Sequence, residues 1–170
     1  MRLYLLRHAL AVPRGAAEYR SDAQRPLTNE GRAQARRVAQ GLKRLDPDVD
    51  VIVTSPYLRA AQTSREVAGV FGARARVKEL DALRADVDPR DTSRALAQLD
   101  AHERVVLVGH EPHLGRWLAE LVAADGRIQC VIKKGGIACV EVKRVPPPPG
   151  SGTLRWLMTP KQLSLIGRSE

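Results

Sequence analysis

Two histidines close two short apolar runs: Leu3-Tyr4-Leu5-Leu6-Arg7-His8 near the start of the chain, and Val105-Val106-Leu107-Val108-Gly109-His110 about a hundred residues later. Each run reads as a strand that leads into a loop. If both strands lie in one parallel sheet, their carboxyl ends share the edge at which open α/β folds bind ligands. A third run, Val51-Ile52-Val53, precedes Ser55-Pro56-Tyr57-Leu58-Arg59-Ala60-Ala61-Gln62-Thr63 and brings Arg59 to the same edge. Two guanidinium groups that stay charged at any working pH, beside two imidazoles, make a trap for an anion.

The ordered set Arg7-His8, Ser55-Pro56-x-x-Arg59-Ala60-x-Gln62-Thr63 and Gly109-His110 resembles the histidine phosphatase (phosphoglycerate mutase-like) superfamily. Within it the chain is most similar to the short phosphohistidine phosphatases of the SixA type. The compact length, Arg25-Pro26-Leu27-Thr28-x-x-Gly31, the Lys133-Lys134-Gly135-Gly136 turn and the ending Leu154-Arg155-Trp156-Leu157-Met158-Thr159-Pro160 carry that likeness. It spans nearly the whole chain. One departure is Ala9, which stands where the superfamily usually has Gly; its methyl group is expected to crowd the phosphate slightly.

The resemblance implies phosphoryl transfer, in which negative charge spreads over three equatorial oxygens and catalysis rests on fixed positive donors and an in-line nucleophile. Arg7 and Arg59 suit the donor role through two-point hydrogen bonds to phosphate oxygens. By similarity to the family, His8 is the nucleophile and His110, as an imidazolium, contacts the transferring group. A phosphate ester also needs a proton for its leaving group, and Glu79, after the third strand, best matches the position from which superfamily members often supply it. Asp81, Asp86 and Asp88 compete for that role. His113 lies three residues after His110, a spacing that metal pairs use, but without a third ligand at compatible spacing it reads as structural. The superfamily's chemistry implies no metal and no cofactor. Thr28, Asn29 and Glu30 read as a helix cap, Arg25 as a loop arginine that either reaches the pocket or is solvated, and His102 as an exposed turn residue.

A chain of 170 residues with 44% hydrophobic content supports one buried core and reads as a single domain over 1–170. Strands alternate with helices, which favours an α/β fold: a three-layer α/β/α sandwich with a mostly parallel central sheet, phosphoglycerate mutase-like by resemblance. Strands are expected at Leu3–Leu6, Val51–Val53, Ala75–Lys78, Arg104–Val108, Gly136–Val142 and, at a sheet edge, Leu154–Met158. One helix should follow Thr28, bury Ala35, Val38, Ala39, Leu42 and Leu45, and stop at Asp46-Pro47. Another begins near Pro56 and reaches Phe71, where Gly72 stops it. Two more open at Pro89, running through Leu96 and Leu99, and at Pro112, with Leu114, Trp117, Leu118 and Leu121 on an apolar face. The run Pro146–Gly152 reads as a stiff-then-flexible loop.

No stretch approaches the apolar length of a membrane span, and Arg7 interrupts the first apolar run, so a cytoplasmic protein is expected. Cys130 and Cys139 are too few for a disulfide framework and read as buried, reduced thiols. The net charge of +9 and pI near 10.2 admit a nucleic-acid binder, but arginine is spread along the chain and aromatic content is only 4%, which leaves few stacking platforms. The expected activity is hydrolysis of a phosphohistidine-containing protein, such as a phosphotransfer domain, through a covalent intermediate on His8. Only about fifty residues separate Arg59 from His110, too few for a lid, which favours hydrolysis over mutase chemistry. A small-molecule phosphomonoesterase and a noncatalytic basic binding module are the alternatives.

Overall fold

The computed structural model describes residues 1–16, 18–72, 76–125 and 127–168. Six strands, β1 (Arg2–Arg7), β2 (Val51–Thr54), β3 (Arg76–Glu79), β4 (Arg104–Gly109), β5 (Ile137–Glu141) and β6 (Thr153–Met158), form one sheet in the order β3-β2-β4-β1-β5-β6. β3, β2, β4 and β1 run parallel, and β5 pairs antiparallel with both β1 and β6. Ala75, where the third strand was expected to begin, lies outside the described residues. Five α-helices accompany the sheet: α1 (Asn29–Leu45), α2 (Leu58–Phe71), α3 (Pro89–Ala95), α4 (His113–Val122) and α5 (Pro160–Gly167).

The continuous apolar runs of β1, β2 and β4 are buried on both faces, as parallel strands between helical layers require. Side chains alternate between the layers. Leu3, Leu5, Val51, Val53, Val105 and Leu107 pack with Leu114, Trp117 and Leu118 of α4 and with Leu96 and Leu99, which continue α3 as a 3-10 turn. Tyr4, Leu6, Ile52, Val106 and Val108 pack on the opposite face with Val38 and Leu42 of α1, Val67 of α2 and Leu163 of α5. The result is the α/β/α sandwich that the alternating pattern predicts.

Local signals place most helix ends. Thr28 Oγ1 accepts from Gly31 N at 3.0 Å and starts α1, and Gly72, at φ +84°, closes α2. Leu45, expected in the core, is 41% exposed at the end of α1. Sequence reasoning stopped before α5, although Thr159-Pro160-x-Gln162 is a capping box with proline in the first turn. Cys139 is buried, but Cys130 is only half-buried; both are free thiols. Among the described residues no helix is long and apolar enough to cross a membrane.

α5 docks so closely on α1 that a Cβ on Gly41 would lie 2.1 Å from the Leu163 carbonyl oxygen, whereas one on Gly69 of α2 meets no atom within 4 Å. The same substitution should therefore act with opposite sign on two helices. Gly41→Ala is expected to destabilise by roughly 1–3 kcal/mol, as overpacking does. Gly69→Ala is expected to stabilise by up to about 1 kcal/mol through helix propensity. Urea denaturation of both variants checks the pair; a neutral Gly41→Ala would mean that α5 is not seated there.

Candidate active site

The site is built by strand register. Arg7 pairs with Gly109 across β1 and β4, and His8 N–H donates to the Gly109 carbonyl at 3.0 Å, so the residues that follow each strand are neighbours. The His8 and His110 rings lie 5.2 Å apart. β2 ends beside β4, and Ser55 N–H donates to the Val108 carbonyl at 2.9 Å, which sends α2 over the same edge. Arg59, in the first turn of α2, then places Nε 3.1 Å from His8 Nε2. These three side chains are wrapped by protein: His8 is 5% exposed, Arg59 2% and His110 1%.

The rest of the Ser55–Thr63 segment fastens loops to this centre. Gln62 Oε1 accepts from Leu27 N at 2.7 Å, and Thr63 Oγ1 accepts from Ala9 N at 3.1 Å. The Lys133–Gly136 turn closes the other side, where Gly135 N–H reaches the Arg7 and His8 carbonyls at 3.1 and 3.2 Å. That turn needs φ +75° at residue 135, a left-handed conformation suited to glycine.

Hydrogen bonds fix the state of His8. Its Nδ1 sits 2.8 Å from the Ala9 carbonyl oxygen, which can only accept, so the proton is on Nδ1 and the lone pair on Nε2. Burial pushes this imidazole down to about 3, with Arg59 and Arg7 adding to the effect, so His8 is neutral at physiological pH. His110 is pushed down to about 2, again chiefly by burial and then by Arg59. The expected His110 imidazolium is thus replaced by a neutral ring, because a second buried cation beside Arg59 is unfavourable. Arg7 Nη1 donates to the Ile132 carbonyl at 2.9 Å. Its Nε and His110 Nδ1 are buried with no partner among the described residues. Each such group costs about 1–3 kcal/mol unless something binds it, and an oxyanion beside His8 would satisfy both.

Sequence reasoning missed Asp22. It lies in a 3-10 turn (Asp22–Gln24) after β1, and it holds the far end of Arg59: Nη2 donates to Asp22 Oδ2 at 2.8 Å and Nη1 to the Asp22 carbonyl at 2.6 Å. Arg25 and Arg14 also bond its Oδ1. Burial alone would raise the Asp22 carboxyl, but Arg25 and Arg59 outweigh that and hold it at about 2. The Asp22-x-x-Arg25 spacing on one turn was the available signal. Arg25 itself is buried and joined to Asp22, and is not the solvated loop residue expected as one possibility. Tyr57 was also unassigned; its ring lies 4.9 Å from that of His110, with the Arg59 guanidinium 5.2 Å from its centre.

The structure does not draw every candidate together. Glu79 ends the exposed edge strand β3, in register with Thr54 of β2 and separated from β1 by β2 and β4, and no side-chain bond joins it to His8, Arg59 or His110 among the described residues. His113 is buried, with Nε2 3.0 Å from Thr92 Oγ1 and Nδ1 3.0 Å from the Val87 carbonyl, so both ring nitrogens are already engaged. His102 is half-buried, not exposed. The Ala9 methyl, expected to crowd the phosphate, is taken up in a small cluster with Leu27 and Ala35.

This geometry has counterparts in known proteins. The profile of the histidine phosphatase superfamily (branch 1) matches residues 3–86, which include Arg7, His8 and Arg59. A solved structure of the protein histidine phosphatase SixA complexed with tungstate superposes with a TM-score of 0.79 at 30% identity, covering 96% of this chain and 99% of that one. The chain belongs to the histidine phosphatase superfamily, in its SixA-type group. Phosphohistidine phosphatase SixA of Escherichia coli is 29% identical over 97% of this chain and 98% of its own length. An uncharacterized protein of Picosynechococcus sp. is 36% identical over 81% of this chain and 82% of its own. These likenesses extend past residue 86 and take in His110, and they mark the chain as a phosphatase of this superfamily.

The two neutral imidazoles carry a stability signature. Unfolded, His8 and His110 protonate near pH 6.5; folded, they resist until about 3 and about 2. Below pH 6.5 the unfolded state binds more protons, so stability that is complete above that pH is lost as pH falls. The urea midpoint of the unliganded protein should drop between pH 6.5 and 5, by on the order of 1 kcal/mol per pH unit for each histidine. A His8→Asn/His110→Asn variant should show a shallower slope, and equal slopes would contradict the burial of neutral imidazoles.

Proposed function

We propose that the protein hydrolyses phosphohistidine on another protein through a covalent phosphohistidine on His8. The observation that carries this reading is the state of His8: a neutral ring, oriented by the Ala9 carbonyl, whose Nε2 lone pair lies beside the Arg59 guanidinium. Nε2 attacks phosphorus in line while the bond from phosphorus to the substrate imidazole breaks and its electron pair leaves with that ring. Water then attacks phosphorus, the His8 Nε2–P bond breaks, and inorganic phosphate departs. Arg7, Arg59 and His110 bind the equatorial oxygens in both steps and supply the positive charge and donors that the loose transition state requires. The reading is metal-independent because fixed guanidinium groups fill the role a cation would take.

The relatives support this substrate class. One is named a phosphohistidine phosphatase, and another binds tungstate, a tetrahedral oxyanion like phosphate. A phosphotransfer domain fits as partner, since a net charge of +9 favours approach of an acidic phosphoprotein. Two free thiols fit a reducing, cytoplasmic setting. A departing imidazole has a conjugate-acid pKa of roughly 6.5, so water can protonate it without a positioned acid. Glu79 is then needed at most for more basic leaving groups.

Turnover of a phosphohistidine protein and a series of phosphate esters, with and without chelator, tests the proposal. His8→Ala should abolish turnover, and Arg7→Ala or Arg59→Ala should each slow it by roughly 10²–10³-fold. Chelation should leave the rate unchanged and vanadate should inhibit. Glu79→Gln should change phosphohistidine turnover by less than about twofold while slowing esters more as their leaving groups become more basic. Full activity in His8→Ala would overturn the mechanism, and negligible wild-type activity on phosphohistidine proteins would favour a small-molecule ester.

A further inference from the structure

His110 cannot serve as a donor by virtue of charge, because the fold keeps it neutral; which nitrogen bears its single proton therefore decides what it offers. Its Nε2 lies 2.8 Å from Ser55 Oγ, and its Nδ1 is buried without a partner among the described residues. Ser55 is itself wholly buried. Its oxygen receives a long contact from Tyr57 N–H at 3.4 Å, and among the described residues the only acceptor within reach of its hydroxyl proton is His110 Nε2. The hydroxyl therefore donates to Nε2, and the imidazole proton resides on Nδ1. In the opposite polarity Nε2–H would donate to Ser55, and Nδ1 would present a lone pair that repels a phosphoryl oxygen.

We propose that Ser55 is a positioning residue that locks His110 in the Nδ1–H tautomer, so that a neutral imidazole is an obligatory donor to the transferring phosphoryl group. This rests on the reading that the phosphoryl group lies between His8 and His110. The groups that act on His110 are Arg59 of α2, His8 after β1, Asp22 of the 3-10 turn and His113 of α4, with the Tyr57 ring against its face. Of these, none but Ser55 bonds the ring, so the tautomer is set by that one hydroxyl. Burial and Arg59 keep His110 neutral well below physiological pH, so the need for Ser55 should persist throughout the working range.

Side-chain ¹⁵N NMR of the unliganded protein should show His110 with Nδ1 protonated and Nε2 bare at pH 7. Ser55→Ala should lower kcat by roughly 10²-fold at pH 7, with KM changed far less, because an oriented donor is lost. The deficit relative to wild type should stay nearly constant from pH 8 to 5, because His110 remains neutral over that range. Ser55→Thr, which keeps the hydroxyl, should recover most of the loss. A His110 proton on Nε2 in the wild type, or a Ser55→Ala deficit that is absent or that disappears by pH 5, would overturn the proposal. The NMR result stands even if a variant fails to fold. It is also independent of turnover, so it separates failure of the tautomer lock from failure of the phosphohistidine reading, which the His8→Ala rate reports.

Discussion

The pairing of Arg7 with Gly109 across the β1–β4 ladder is the constraint on which the site depends. Strand side chains alternate between faces, so a slip of one residue would exchange the two layers of the core and move His8 away from His110. Burial on both faces makes that slip costly: Leu3 and Leu5 pack against α4, while Tyr4 and Leu6 pack against α1. The apolar core thus fixes a register, and the register fixes two imidazoles at 5.2 Å. α2 adds Arg59 because β2 ends one ladder away, on the side of β4 opposite β1.

Electrostatics follow from that packing. Arg59 and Arg7 are brought in as permanent charges, and their compensation comes from outside the pair of histidines: Asp22 binds the end of Arg59, and Glu111 acts on Arg7 through space. Burial, helped by these guanidinium groups, then denies both histidines a proton. A protonated His8 would have no lone pair to attack with, so the cationic environment that suits an oxyanion also leaves His8 able to act as the proposed nucleophile. Among the described residues Arg7 Nε and His110 Nδ1 are buried without a partner, the kind of polar atoms that an oxyanion can engage.

Most of this was legible in the sequence because the candidate site residues sit at the ends of apolar runs, where periodicity and turn signals are strongest. Arg7, His8, Arg59 and His110 were found through motif order, and the structure brings His8, Arg59 and His110 into mutual contact, with Arg7 one residue before His8. Asp22 was not found, since its importance lies in bonds to residues three and thirty-seven positions away and its local context is an ordinary polar loop. The protonation state of His110 was misjudged for a related reason: a side chain's charge depends on burial and on Arg59, and neither is local in sequence. Glu79 lies at the carboxyl edge suggested by its place after a strand, in register with Thr54 of β2, but on the edge strand rather than beside β1. α5 was overlooked although its capping box was present, because the short remaining chain was read only as an ending.

The account turns on the Nε2 lone pair of a neutral His8. Its most direct test is to quench the enzyme with a phosphohistidine protein in alkali, which preserves phosphoramidate, and to measure ³¹P–¹⁵N coupling in the isotope-labelled enzyme. A single phosphoenzyme species coupled to Nε2 of His8 is predicted. Coupling to Nδ1 of His8, or phosphate carried by any other residue, would contradict the account.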